Sequence, residues 1–371
     1  MEFLVVIGSL LWVVLILVPW RPCSTREHLE PSDEPVVTSL SDVTVLIPAR
    51  NEAALIERTL SALANQGADL QVILVDDQSS DRTASLARSA LATGLQIFEG
   101  APLPSGWTGK LWALEQGLRN TRTELTLLLD ADIELRPGMI GTLKRKLLDE
   151  QLDLVSIMAE LRMKTLWEKL LAPAFIYFFK LLYPFAVGNN PRSRLGVAAG
   201  GCILVRSDAL KRTGAFLSIR SEIIDDCSLA SRIKKSGGRT WIGLSHSVRS
   251  QRPYARLSSF SEIVERTAFT QLRYSNWLLL STTFAMLLVF VFPWAGFFST
   301  SVAVRGFALF GIGAMISSYL PTLVYYRRSI LWAPVLPLVG GLYLLMTWSS
   351  ALRYWRGQRS AWKGRTYART R

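Results

Sequence analysis

The chain opens on a run of uncharged residues, Phe3–Trp20, just long enough to cross a bilayer as one helix. Residues 21–41 interrupt it with proline, serine and acidic residues and read as a linker. From Val43 onward, short apolar runs alternate with segments of helical period. Val43–Ile47, Val72–Val75, Leu95–Phe98 and Leu125–Leu129 read as strands, with Ala53–Ala64, Thr83–Leu91 and Trp112–Leu118 as the helices between them. Further on, Ile203–Val205 reads as a strand and Asp225–Lys235 as a helix. Alternation of this kind predicts an α/β domain built on a mainly parallel sheet with helices on both faces. In such sheets ligands bind beyond the carboxyl ends of the strands, so the chemistry is sought there.

Two later segments have a different texture. Leu166–Val187 carries a broad aromatic surface (Trp167, Phe175, Phe178, Phe179, Phe185), which suits an in-plane membrane helix better than a core helix. Leu257–Tyr274 mixes apolar residues with Arg256, Arg266 and Arg273 and has the same surface-lying character. Three uncharged stretches follow: Trp277–Val304, Gly306–Tyr326 and Ser329–Leu352, each long enough to span. Arg21 and Arg26 after the first segment place the following domain on the cytoplasmic side, and the absence of a basic start or small-residue cleavage site makes that segment an uncleaved anchor. Three crossings would then leave the tail outside, yet it carries Arg353, Arg356, Arg359, Lys363, Arg365, Arg369 and Arg371. Arg327 and Arg328 argue that the preceding loop is inside as well. The conflict resolves if Ser329–Leu352, interrupted by Pro334, Pro337 and Gly340–Gly341, re-enters rather than crosses.

Charge supports this layout. The formal net charge is +13 over 371 residues, but the chain from Trp277 onward contains no Asp or Glu, so the excess flanks apolar runs. A nucleic-acid protein would spread basic charge over a folded face, and that class is excluded. The cysteines, Cys23, Cys202 and Cys227, are far apart, and their spacing matches neither a zinc site nor a disulfide framework.

Carboxylates at strand ends carry the candidate chemistry. Asp76 and Asp77 end the second strand, where they can accept hydrogen bonds from a ribose or a base, or where Asp77 or Ser79 can simply cap the next helix. Asp130 and Asp132 follow Leu125–Leu129; two carboxylates two residues apart at a strand exit can meet one divalent cation, or form a solvated turn. Asp225 and Asp226 open a helix, either complementing its dipole or supplying a general base. Gly106-Trp107-Thr108-Gly109-Lys110 lacks the spacing of a P-loop, although Lys110 at a helix start can still reach phosphate. Gly200 and Gly201 permit close backbone approach of an acceptor, or form a tight turn before the next strand.

Taken in order, Val43–Glu52, Val75-Asp76-Asp77-Gln78-Ser79-Ser80-Asp81-Arg82-Thr83 and Asp130-Ala131-Asp132 resemble the family 2 inverting glycosyltransferases with a GT-A fold, over about Val43–Gly243. Gly106–Ala113 and the closing Trp362-Lys363-Gly364-Arg365-Thr366-Tyr367 are similar to the hopene-associated branch. The resemblance implies a nucleotide-sugar donor and a divalent cation, Mg2+ or Mn2+. It implies nucleotide contacts at Asp76 and Asp77, metal binding at Asp132, sugar-nucleotide contact at Asp130 and a catalytic base at Asp226. Where processive members carry Gln-x-x-Arg-Trp, this chain has Thr270-Gln271-Leu272-Arg273-Tyr274. Arg273 is then expected on the diphosphate and Tyr274 near the acceptor, but continuous polymer synthesis is not.

The expected organisation is an anchor at 1–20, a linker at 21–41, a GT-A catalytic domain with interfacial helices at 42–276, membrane segments at 277–352 and a basic tail at 353–371. The expected protein is an integral protein of a bacterial-type inner membrane, with its catalytic domain cytoplasmic and a lipid acceptor that the resemblance makes hopanoid-related. A polyprenyl-phosphate sugar transferase and a non-catalytic membrane scaffold retaining the fold are the alternatives.

Overall fold

The computed structural model describes residues 1–32, 39–91 and 93–368. Helix α1 (Glu2–Leu17) comes first. The α/β body then runs β1 (Val43–Ala49), α2 (Ile56–Ala64), β2 (Gln71–Asp76), α3 (Thr83–Ala90), β3 (Leu95–Glu99), α4 (Gly109–Leu118) and β4 (Leu125–Leu129). Its second half holds β5 (Ile133–Leu135), α5 (Met139–Asp149), β6 (Leu154–Glu160), α6 (Leu166–Leu182), α7 (Phe185–Asn189), β7 (Cys202–Arg206), α8 (Ser207–Arg212), α9 (Asp225–Lys235) and β8 (Thr240–Ser250). The apolar part comprises α10 (Leu257–Gln271), α11 (Asn276–Phe290), α12 (Phe292–Gly296), α13 (Val302–Tyr325), a 3-10 turn (Ile330–Val335) and α14 (Leu336–Trp355). A hairpin of β9 (Gln358–Trp362) and β10 (Arg365–Ala368) closes the chain.

The body is one 8-stranded sheet in the order β3-β2-β1-β4-β7-β6-β8-β5. Strands β1, β2, β3 and β4 are parallel, as the alternation of strands with helices predicts; β7 is antiparallel to both β4 and β6, and β5 is antiparallel to β8. One layer of core lies between the sheet and α2, α3 and α5, where Ile47, Leu60, Leu74 and Leu143 are fully buried. The other lies beneath α4, α8 and α9, around Leu46, Leu111, Phe216 and Ile233. Sequence boundaries agree with the structure to a few residues in the first half. The helix expected over Leu166–Val187 is divided: Thr165 and Glu168 cap α6 reciprocally, and the helix stops at Tyr183, before Pro184.

Among the described residues, three segments are long and apolar enough to cross a membrane: Asn276–Gly296, Val302–Tyr325 and Ile330–Trp355. Helix α1 is shorter than its uncharged run, since the chain turns before Pro19, and its 16 residues give about 24 Å. It packs closely on α11 and α13: Gly311 lies against Ser9, and Trp12 Nε1 donates to the Val289 carbonyl at 2.7 Å. Small residues allow this approach between helix backbones. The aromatic surface of α6 is covered by α11, α13 and α14, with Phe178 edge-on to Phe290 and Tyr343 and Tyr177 edge-on to Tyr319.

Both ends of Ile330–Trp355 touch the α/β body. At its start Tyr325 stacks on His246 of β8, with ring centroids 4.2 Å apart. Past its end the hairpin is bonded to residues of the body at Asp77 and Gly109. Along the way Arg353 pairs with Glu265 of α10 at 2.7 Å, and Tyr343 donates to the Leu171 carbonyl of α6 at 2.9 Å. This is the path of a segment that leaves the body and returns to it. In a Cys23→Ser background, Ser329→Cys and Gln358→Cys are therefore expected to react with a membrane-impermeant maleimide from the same side of sealed vesicles. Labelling from opposite sides would make this segment a crossing helix.

Candidate active site

The carboxyl ends of β1, β2 and β4 and the start of α9 bring acidic residues from four parts of the sequence to one edge of the sheet. Asp130 follows β4 directly and is fixed by its own N–H, which donates to the Gly201 carbonyl at 3.0 Å. Its carboxylate meets Lys110 at 2.8 Å, and the same ammonium lies 3.6 Å from Asp225. Lys110, Asp130, Gly200, Asp225 and Asp226 line one cleft, backed by apolar residues of β4, α4 and α9. At Gly200 a Cβ would stand 3.2 Å from Lys110 Nζ and 3.4 Å from Asp226 Oδ2, so the glycine leaves room between these two groups. Gly201 sits one residue on, where a Cβ would press on Ile133 at 3.1 Å.

The electrostatics follow from crowding acids in a place poor in water. Burial, reinforced by Asp225, pushes Asp226 up to about 6, although the Cys227 N–H donates to it at 2.7 Å. Burial also raises Asp130 despite Lys110, with Asp132 and Asp225 adding to the rise. For Lys110, burial disfavours the ammonium, but Asp130 and Asp225 outweigh it and hold the proton more tightly than usual.

Asp132 lies a little apart, with Oδ2 accepting from Ser250 Oγ at 2.6 Å and Oδ1 from Arg252 at 3.3 Å. Arg252 also holds Glu52 at 2.6 Å. The donor chemistry of Asp130 and Asp132, hard carboxylate oxygens, fits a divalent cation. Among the described residues, no three His, Cys, Asp or Glu side chains are grouped to hold an ion by themselves. The protein thus offers part of a coordination shell, the mode in which magnesium is shared between one or two carboxylates and a substrate's phosphates.

At Asp76 and Asp77 the structure adds residues that the sequence did not mark. Asp76 accepts from the Ser79 N–H at 3.2 Å, while Asp77 is fully buried and accepts from Arg365 of β10 at 2.9 Å. The second Asp77 carboxylate oxygen has no partner, and burial pushes this group up to about 6 against the pull of Arg365 and Arg50. The capping alternative for Asp77 and Ser79 does not hold, since the Thr83 N–H at the start of α3 donates to Asp81 at 3.0 Å. The hairpin is attached by further bonds. Lys363 pairs with Glu52 at 2.8 Å, Arg50 Nε donates to the Lys363 carbonyl at 3.1 Å, and the Gly109 N–H donates to the Tyr367 hydroxyl at 2.8 Å. Trp362 covers Gly109 so closely that a Cβ there would come within 2.8 Å of the indole.

Arg273 and Tyr274 are both in the left-handed region, with φ of 51° and 57°. Arg273 is exposed and does not line the acid cleft, whereas Tyr274 stacks on Tyr354 at 4.3 Å and accepts from Arg359 Nε at 2.9 Å. Tyr274 therefore joins the hairpin to α10.

With this geometry in place, the comparisons are specific. Residues 44–214 match the sequence model of Glycosyl transferase family 2. Among curated proteins, the 4,4'-diaponeurosporenoate glycosyltransferase of Staphylococcus aureus is 30% identical over 197 residues, which are 51% of this chain and 50% of that protein. Its counterpart in Staphylococcus haemolyticus is 35% identical over 95 residues, 25% of this chain and 24% of that one. The chain thus spans half or less of the length of these curated relatives. Among solved structures, a mannosyltransferase from Pyrobaculum calidifontis in complex with GDP-Man and Mn2+ superposes with a TM-score of 0.58 at 20% identity, covering 95% of this chain and 98% of that one. The fold is GT-A.

Arg365→Met removes the cation from a fully buried carboxylate, a loss worth about 3–5 kcal/mol when a buried pair is broken. The expected outcome is release of the hairpin, read as faster tryptic cleavage after Lys363, with Arg365→Lys closer to wild type. Equal cleavage in all three proteins would show that the Asp77 pair does not hold the hairpin.

Proposed function

We propose that the chain is a membrane-bound inverting glycosyltransferase that moves one sugar from a nucleotide-sugar donor to a lipid acceptor. The convergence of Asp130, Asp225, Asp226, Lys110 and Gly200 on one cleft, inside a family 2 domain, is the observation that carries this reading.

In this reading Asp76 and Asp77 receive the nucleoside, and Lys110 and Asp130 face the diphosphate and sugar, while Arg273, which the sequence placed on the diphosphate, stands outside the cleft. Asp226 is the base: it takes the proton of the acceptor hydroxyl as that oxygen bonds to the anomeric carbon. The bond from that carbon to the diphosphate breaks on the opposite face, and the nucleoside diphosphate leaves with the electron pair. A carboxylate raised toward neutrality is a stronger base than an ordinary aspartate and is still largely ionised at pH 7. Asp132, with Asp130, would hold Mg2+ or Mn2+, which when bound supplies charge stabilisation for the departing diphosphate. Gly200, Gly201 and Tyr274 lie on the acceptor side.

The apolar helices and the relatives named for a carotenoid acid support a hydrophobic acceptor dissolved in the membrane. The likeness of Trp362–Tyr367 to the hopene-associated branch makes a hopanoid one such acceptor. A cytoplasmic catalytic domain on a bacterial inner membrane suits a donor made in the cytoplasm.

Asp226→Asn is expected to lower turnover by about 10²–10⁴-fold while leaving binding of the nucleoside diphosphate unchanged. Retained turnover excludes Asp226 as the base. In wild type, kcat/KM is expected to fall as pH drops through about 6, because the raised carboxyl pair gains its proton there and loses its basicity. Asp132→Ala is expected to abolish the metal-dependent part of donor binding, measured by titration with and without Mg2+ or Mn2+. The acceptor is identified by incubating the purified protein with membrane lipids and labelled nucleotide sugars. A labelled polyprenyl phosphate would make the enzyme a supplier of lipid-linked donor, and absence of any labelled lipid would favour a scaffold.

A further inference from the structure

A second cavity lies away from the acid cleft and shares no residue with it. Its volume is about 220 Å³, and its walls are Glu160 at the end of β6, His246 and Arg249 of β8, and Tyr326, Arg327 and Arg328 in the loop after α13. The loop directly follows a 24-residue apolar helix and precedes Ile330 and Leu331, which are 58% and 79% exposed. The cavity is therefore located where apolar helix gives way to polar body, the depth at which lipid headgroups lie.

The polar groups around it are unevenly matched. Glu160 is engaged by His246 Nδ1 at 3.1 Å and by Arg249 Nε at 3.6 Å. The neighbouring Glu30 accepts from the His246 N–H at 2.6 Å and from Ser245 Oγ at 3.1 Å. No acidic side chain among the described residues pairs with Arg327 or Arg328; Arg328 Nε reaches only the Tyr326 carbonyl, at 2.9 Å. Tyr326 is 2% exposed, and its hydroxyl is buried without a hydrogen-bond partner. The Tyr325 hydroxyl beside it is unpartnered as well. Two arginines that line a cavity with no acid paired to them mark its missing partner as an anion with several acceptor oxygens.

We propose that this cavity binds the phosphate of an anionic membrane lipid, with Arg327 and Arg328 on the phosphate oxygens. A basic pocket at the end of membrane helices is the expected receptor for such a headgroup. The volume lies below the roughly 300–1,000 Å³ of ordinary small-molecule pockets, so it takes the headgroup and leaves the acyl chains outside, along α13. The lipid is held and not consumed. The site stands independently of the sugar-transfer reading, because none of its residues belongs to the acid cleft.

The test uses the full chain purified in a neutral detergent, mixed with equal amounts of phosphatidylglycerol and phosphatidylcholine and read by native mass spectrometry. One retained phosphatidylglycerol per chain is expected, preferred by about 30-fold, as two arginines at about 1 kcal/mol each would give. R327Q/R328Q is expected to bring the preference to near one. R327Q, which removes one exposed arginine, is expected to lower the preference to about 5-fold while leaving the far-ultraviolet circular dichroism unchanged, and it keeps the test informative if the double variant does not fold. Wild-type preference in both variants overturns the proposal. So does displacement of phosphatidylglycerol by an equal concentration of inorganic phosphate, which would mark a soluble-anion site.

Discussion

The carboxyl edge of the sheet is organised by a single electrostatic constraint: acids crowded into a half-buried place must be met by cations or lose their charge. Glu52, Asp77, Asp130, Asp132, Asp225 and Asp226 all converge there, and each available cation is shared or enclosed. Lys110 serves Asp130 and Asp225, Arg252 serves Glu52 and Asp132, Lys363 serves Glu52, and Arg365 serves Asp77. Asp226 has only the more distant influence of Lys110, and its carboxyl is accordingly raised. Burial is the first cause of that rise, and it raises Asp77 and Asp130 as well, against the pull of their cations.

Two of those cations arrive from the far end of the chain, which joins Asp77 and Glu52 to the apolar helices. Helix α14 hands directly to the hairpin, and Arg359 on the first hairpin strand holds Tyr274 at the end of α10. A shift of α14 would be felt at Asp77 through Arg365 and at Glu52 through Lys363. Closure of the site and the seating of the apolar helices are consequently parts of one contact network rather than separate features. The antiparallel hairpin is short and two-stranded, and such a unit has little stability of its own. Its docking rests on buried partners in the body.

Strand positions in the first half were legible because β1, β2 and β4 are buried on both faces and read as continuous apolar runs bounded by acids. The acids themselves were legible for the same reason, since a charged residue directly after such a run must stand at the sheet's edge. Strands β6 and β8 were not marked. Ser156 lies inside β6, and Ser245, His246 and Ser247 interrupt β8, and these side chains find partners that only the tertiary fold supplies. The role of Arg365 was hidden by distance, because its partner is 288 positions away and a run of basic residues after a membrane segment has an ordinary explanation in topology. Arg252 was hidden likewise, being separated from Glu52 by 200 positions.

The aromatic surface of α6 illustrates how one pattern can satisfy two environments. Its rings suggested a helix lying in the membrane surface, and the structure covers them with α11, α13 and α14. A pattern suited to contact lipid is also suited to contact other apolar helices, because both surroundings present hydrocarbon. What distinguishes them is the polar atom on the ring. Tyr177 shares a hydrogen bond with Ser318 of α13 at 2.7 Å, and Tyr343 donates to the Leu171 carbonyl, bonds that a lipid tail cannot offer. Tyrosine among phenylalanines on such a face therefore argues for a protein partner, and here it fixes the register between α6 of the catalytic body and the helices that seat it.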